Sequence, residues 1–237
     1  MTSTPRAAAT SASAGEPNGS DSPRVSLEHS GINELFALLA YGEVAAFYRL
    51  TEEARMAPNL SGRINMASMA AAEMNHYEVL RDALERRGVD VVPAMTKYAS
   101  ALENYHRLTT PSTWLEALVK TYVGDALAAD FYLEIADVMP DEVADVVRAV
   151  LSETGHSQFV VAEVRAAVTA SDRQRHRLAL WSRRLLGEAI TQAQFVMADH
   201  DELVDLVMAG GGLSQMTGFF DRLQHTHSTR MQELGLA

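Results

Sequence analysis

The sequence contains no cysteine, and this absence excludes several classes of protein. Structural disulfides, thiolate metal sites, iron–sulfur clusters and cysteine nucleophiles all require a thiol. Any metal ion must therefore be bound through oxygen and nitrogen atoms. Apolar runs of the roughly 18 residues that a membrane span needs are also missing, so we expect a soluble, cytoplasmic protein with no membrane partner.

Basic residues are scarce as well. The chain has 20 lysines and arginines against 31 aspartates and glutamates, which gives a net charge of −11. A broad nucleic-acid-binding surface needs clustered positive charge, so this balance argues against one but still allows a local basic patch. Residues 1–26 are rich in Ala, Ser, Thr, Pro and Gly and lack the apolar stretch of a signal peptide, so we predict a disordered tail there.

Residues 27–237 show helical periodicity, and glycine and proline stand mostly where helices end. The predicted helices run from about Ile32 to Met56, from a Ser61 cap to about Arg87, from a Ser112 cap to about Met139, from Asp141 to about Thr169, from Asp172 to Ala198, and from Leu213 to Leu234. Whether residues 202–208 form a separate helical turn is left open. Short turns join the first two helices and the next two, and residues 89–110 form one long connection between these pairs. This wiring predicts an all-α four-helix bundle, with its core at about residues 30–170 and two additional C-terminal helices at about 172–234.

The chain contains an internal repeat of acidic and histidine residues. Gly42-Glu43 in the first helix matches Gly124-Asp125 in the third at an offset of 82, and Glu73-x-x-His76 matches Glu153-x-x-His156 at an offset of 80. Two similar hairpins would place these four elements at one level of the bundle, around a pseudo-twofold axis. The repeat therefore predicts one shared site rather than scattered surface charges.

Each of these carboxylates interrupts an apolar stripe at helical spacing. On the second helix, Glu73 and His76 stand between Met69 and Leu80, and the other three helices show the same pattern. Carboxylates are rarely buried unless they are paired or bind a cation, so we predict two metal ions in the core. The candidate ligands are Glu43, Glu73, His76, Asp125, Glu153 and His156.

Two alternatives concern single positions. Asp130 competes with Asp125 as the third-helix ligand; we prefer Asp125 because it matches Glu43 in the repeat, and Asp130 could instead orient a ligand imidazole. A basic segment could contact RNA, although a solvated helix start is the favoured interpretation; it comprises Arg173, Arg175, His176, Arg177, Arg183 and Arg184.

The segments around the predicted ligands resemble the ferritin-like di-iron superfamily, and within it the MiaE-type tRNA hydroxylases. The resemblance rests on residues 40–43, 69–76, 119–125 and 153–156. It implies a ferritin-like fold and a non-haem di-iron centre that uses molecular oxygen to hydroxylate the isopentenyl group of a modified adenosine in tRNA. Glutamate is usual at the third-helix ligand, and here Asp125 stands in its place.

The expected function is therefore that of an oxygen-activating di-iron monooxygenase, with manganese as the other candidate metal. Its partners would be molecular oxygen, a separate reductase that supplies electrons, and tRNA; the protein would be a monomer or a small homo-oligomer. Two alternatives stay open. One is an iron- or peroxide-handling protein of the ferroxidase or manganese catalase type, and the other is a helical bundle without catalytic activity.

Overall fold

The computed structural model describes residues 25–137, 139–151, 157–209 and 212–237. The predicted tail thus lies outside the described residues except for its last two, of which Val25 is buried in the core. Within the described ranges the chain forms ten α-helices: α1 Gly31–Glu53, α2 Leu60–Arg86, α3 Val91–Thr96, α4 Ala99–Leu108, α5 Trp114–Ala136, α6 Asp141–Val150, α7 Ser157–Ala170, α8 Asp172–Asp199, α9 Asp201–Ala209 and α10 Gly212–Glu233. A short 3-10 turn, Ala54–Met56, extends α1.

Helices α1 and α2 form an antiparallel hairpin and pack against each other along their length. Helix α5 packs on α6, α7 and α8, and α6 also contacts α2, which joins the two halves. The predicted all-α bundle of two hairpins with additional C-terminal helices is confirmed. Among the described helices, none combines the length and the apolar character needed to cross a lipid bilayer.

Two helix starts differ from the prediction by one or two residues. Asn59, not Ser61, caps α2: its backbone is extended and its side-chain oxygen accepts a hydrogen bond of 2.8 Å from the Gly62 amide. Thr113, not Ser112, caps α5 in the same way through the Glu116 amide. In both cases the side chain that reaches the free amides of the first turn belongs to the residue in extended conformation.

The long connection contains two helices that periodicity does not predict, α3 and α4. Pro93 is compatible with α3 because it lies in the first turn, where a backbone N–H has no helical partner. The predicted fourth helix is described as two helices, α6 and α7. Residues 152–156 between them, which include Glu153 and His156, lie outside the described residues.

The apolar core consists of two clusters on either side of a polar layer. One cluster holds Leu35 and Leu39 of α1 with Leu80 and Leu84 of α2. The other includes Leu50 of α1 and packs against the first half of α2 and against α5, α7 and α8. The residues between the two clusters are those from which the site is built.

Candidate metal centre

Glu43, Glu73 and His76 converge where α1 and α2 face each other. One ligand atom from each side chain lies within 4.8 Å of the other two. Nδ1 of His76 is 3.4 Å from Oε2 of Glu43 and 3.7 Å from Oε2 of Glu73. Since Glu73 and His76 are three residues apart, a single turn of α2 presents both toward α1.

The cluster sits between the two apolar regions, so its charges are poorly solvated. Glu43 is 8 % exposed. Burial raises the pKa of Glu43 well above its usual value, and the neighbouring Glu73 carboxylate adds to this effect. Among the described residues, Oε2 of Glu43 has no hydrogen-bond partner, because its contact with His76 has the distance of an ion pair without the geometry of a hydrogen bond. A buried carboxylate oxygen that accepts no hydrogen bond is suited to bind a cation.

His76 supplies the closest positive charge to the two carboxylates. Its contacts with Glu43 and Glu73 raise the pKa of His76 to about 9. Burial alone would raise the pKa of Glu73, but His76 and the nearby charge of Arg49 outweigh it and lower that pKa below its usual value. Two carboxylates and one imidazole form a donor set suited to iron, manganese or zinc.

Asp125 does not join this cluster but pairs with Arg49. Nη2 of Arg49 donates a hydrogen bond of 3.0 Å to Oδ1 of Asp125. The Asp125 side chain is 42 % exposed and borders the cavity inside the bundle, where the loss of bulk solvation outweighs Arg49 and raises the pKa of Asp125 to about 7. Of the six predicted ligands, the structure brings three together and places Asp125 on a buried arginine. Glu153 and His156 remain predictions.

Sequence reasoning missed a buried ionic network between α1 and α5. Nη1 of Arg49 donates to Oε2 of Glu53 at 3.1 Å and to Oγ1 of Thr121 at 3.0 Å. Nζ of Lys120, a residue only 2 % exposed, lies 3.6 Å from Oε1 of Glu53. The spacing of Arg49 and Glu53 by four residues was the available signal, but such pairs usually lie on helix surfaces.

The chain matches the ferritin-like domain of actinomycetes over residues 28–210. The protein belongs to this family. No curated protein matches the chain significantly. The family match agrees with the bundle and with a carboxylate–histidine cluster in its core, the arrangement in which ferritin-like bundles hold metal.

The core of this ferritin-like protein also contains a cavity of about 660 Å³ beside the cluster. Glu43, Glu73, His76 and Asp125 all line it. Most of the wall is apolar, with residues such as Leu39 of α1, Leu127 of α5, Val160 of α7, and Ile190 and Val196 of α8. Its volume lies in the range of small-molecule sites and exceeds that of ordinary packing voids.

Two polar side chains of α4 face this cavity and have no hydrogen-bond partner in the described part of the chain. They are the Tyr105 hydroxyl and Nδ1 of His106. Burial lowers the pKa of His106 to about 2, so its imidazole is neutral, and burial raises the pKa of Tyr105. The long crossover of the ferritin-like fold thus contributes two neutral polar groups to an otherwise apolar wall.

The alternative third-helix ligand, Asp130, is engaged elsewhere. Both terminal nitrogens of Arg230 donate to its carboxylate, one of them at 2.7 Å, and Thr226 donates at 2.9 Å. Parts of the basic segment are engaged as well. Arg177 pairs with Glu116 at 2.9 Å, and Arg184 donates to the backbone oxygen of Leu108.

Proposed function

We propose that this protein is a non-haem di-iron oxidoreductase that activates molecular oxygen. One observation carries the proposal: Glu43, Glu73 and His76 converge in the core, and no described residue donates a hydrogen bond to one oxygen of Glu43. Burying such groups without a cation costs several kcal/mol per charge. A metal ion bound there would replace the proton of His76 as the neutralising charge.

In this proposal a second ion uses Asp125 together with Glu153 and His156, as the sequence repeat predicts. Iron bound in this way would supply the reduction of dioxygen and the oxidation of a substrate. The protein residues hold the ions, position them against the cavity and keep bulk water away from them. Electrons come from a separate reductase, because a chain without cysteine cannot carry an iron–sulfur cluster of its own.

The cavity supports an organic substrate over iron storage. A chamber of about 660 Å³ with a mostly apolar wall suits a carbon skeleton, and the polar groups of Tyr105 and His106 can orient one end of it. Hydroxylation is therefore the reaction type that we favour. The isopentenyl group of modified adenosine in tRNA, the substrate implied by the MiaE resemblance, is apolar and is the specific substrate that we propose.

The metal proposal is tested on the full chain after iron-replete expression, by metal analysis and by oxygen consumption with a reductant. We expect at least about one iron ion per chain. Replacing a ligand, Glu73→Gln, should weaken iron binding at least about tenfold, whereas Glu78→Gln on the exposed side of α2 should not. Wild-type protein that binds no metal would refute the metal centre, and manganese or zinc in place of iron would refute the di-iron assignment. Bound iron without oxygen consumption would refute the oxidoreductase.

The substrate proposal is tested separately, by mass spectrometry of tRNA nucleosides from cells with and without the gene. Loss of hydroxylated isopentenyladenosine in the deletion strain is the expected result. An unchanged pool of this nucleoside would remove the tRNA substrate and leave the metal centre in place.

A further inference from the structure

Arg49 places a fixed positive charge inside the proposed metal centre. It is buried between α1 and α5, and its guanidinium donates to three acceptors: Glu53, Thr121 and Asp125. An arginine side chain does not lose its proton in proteins, so this cation is permanent. The carboxylate that it holds, Asp125, is the predicted ligand of the second ion.

The described charges around the centre are not evenly compensated. Four carboxylates and two cations share this region: Glu43, Glu53, Glu73, Asp125, Arg49 and Lys120. With His76 neutral, as a metal ligand must be, two negative charges remain. They are those of Glu43 and Glu73, because Arg49 and Lys120 are paired with Glu53 and Asp125.

The arginine also breaks the symmetry of the repeat. At the offset of 82 that relates Glu43 to Asp125, the residue corresponding to Arg49 is Phe131. Asp125 therefore has a neighbouring guanidinium, whereas the corresponding position beside Glu43 in the repeat carries no charge. The two halves of the centre, which look equivalent in sequence, are electrostatically different.

We propose that Arg49 is a built-in counter-ion that competes with the second metal ion for Asp125. This inference rests on the proposed function and refines it: the first ion binds at Glu43, Glu73 and His76, and the second binds only when Asp125 leaves Arg49. Arg49 keeps Glu53 and Thr121 as acceptors after that exchange, so it stays in place. The result is a centre with one tight and one weak ion, not two equivalent ones.

The test is a titration of metal-stripped full-length protein with Mn²⁺. Calorimetry measures the affinity of each ion, and electron paramagnetic resonance distinguishes unbound Mn²⁺ from bound ions that are magnetically coupled to each other. For the wild type we expect one tight ion and a second that binds at least about tenfold more weakly. Arg49→Met should tighten the second ion at least about tenfold and change the first less than about threefold. Arg49→Lys keeps the positive charge but loses the planar guanidinium with its paired N–H donors, so its affinity for the second ion should lie between those of the wild type and Arg49→Met.

A matched control is Arg230→Met, which removes another arginine paired with an aspartate of α5, Asp130. It should leave both affinities unchanged. Asp125→Asn, which keeps Arg49 and its other acceptors, should abolish the second ion and preserve the first, which shows where the weak ion binds. Arg49→Lys keeps the role of Arg49 testable if Arg49→Met does not fold, because an unchanged second affinity in Arg49→Lys would overturn it.

The outcomes separate this inference from the proposed function. A tight first ion with the same second affinity in the wild type and in Arg49→Met would overturn the role of Arg49 alone. Two equally tight ions in the wild type would overturn it as well. Absence of any tight ion would overturn the proposed function, and this inference with it.

Discussion

Glu53 should be among the most stability-critical charged residues of the bundle. It is buried, accepts a hydrogen bond from Arg49 at 3.1 Å and lies 3.6 Å from the ammonium group of Lys120. Glu53→Ala would remove the carboxylate that Arg49 and Lys120 share and leave both cations in the core. Breaking a buried ion pair from one side costs about 3–5 kcal/mol, because the remaining charge stays desolvated.

That loss corresponds to a fall of roughly 6–20 °C in Tm for a chain of this size. Arg49 keeps Asp125 and Thr121 as acceptors, so the lower half of the range is expected. Glu53→Gln keeps the shape and one acceptor and should cost less, about 1–3 kcal/mol. Urea unfolding followed by circular dichroism, together with thermal melts, measures both variants.

The control is Asp145→Ala, which removes the acidic partner of an ion pair on the exposed side of α6. Pairs of this kind contribute about 0–1 kcal/mol. If Glu53→Ala lost no more stability than Asp145→Ala, the buried network would not be holding α1 against α5. The buried charges of the core would then contribute no more to stability than an exposed ion pair.

The remaining predictions concern packing and pH. A Cβ atom on Gly31 would lie 2.4 Å from a backbone oxygen of α9, so Gly31→Ala should destabilise the fold by about 1–3 kcal/mol. In urea unfolding, Gly187→Ala in the open middle of α8 should instead stabilise it by about 0.5–1 kcal/mol. Burial lowers the pKa of His106 to about 2, so below about pH 6.5 this imidazole takes up a proton only in the unfolded chain. The free energy of unfolding should therefore fall by about 1.4 kcal/mol for each pH unit below that value. Urea unfolding at about pH 7 and pH 5 measures this change in the free energy of unfolding, which should be smaller in His106→Leu and unchanged in His225→Leu, whose side chain is exposed. Equal changes in both variants would contradict the prediction.

The bundle was predictable because hydrophobic periodicity and short turns determine it. Strong apolar stripes define α1, α2 and α5, and the short turn after α1 forces an antiparallel hairpin. Helix caps were less predictable, since Asn59 and Ser61 are both good caps and only the local backbone decides between them. The helices of the crossover were missed because α3 and α4 are short and Pro93 resembles a loop residue.

The candidate site was predictable in part, for a related reason. Glu43, Glu73 and His76 interrupt apolar stripes, so their burial could be inferred from one helix at a time. The burial of Arg49 and Lys120 depends on contacts between helices, with Asp125 and Glu53 as partners. A single-helix pattern cannot show such contacts, because a lysine or arginine beside an apolar stripe usually extends into solvent.

Burying carboxylates requires positive charge, but that charge need not come from metal. Glu53 and Asp125 receive theirs from Arg49 and Lys120, whose contacts are fixed by the folded chain. At Glu43 and Glu73, by contrast, the closest positive charge is a proton on His76, which a metal ion can displace. The negative charge that no fixed cation of the described chain compensates therefore lies at the Glu43 and Glu73 end of the polar layer. Within the part of the chain that the structure describes, this is where an ion would gain most from binding.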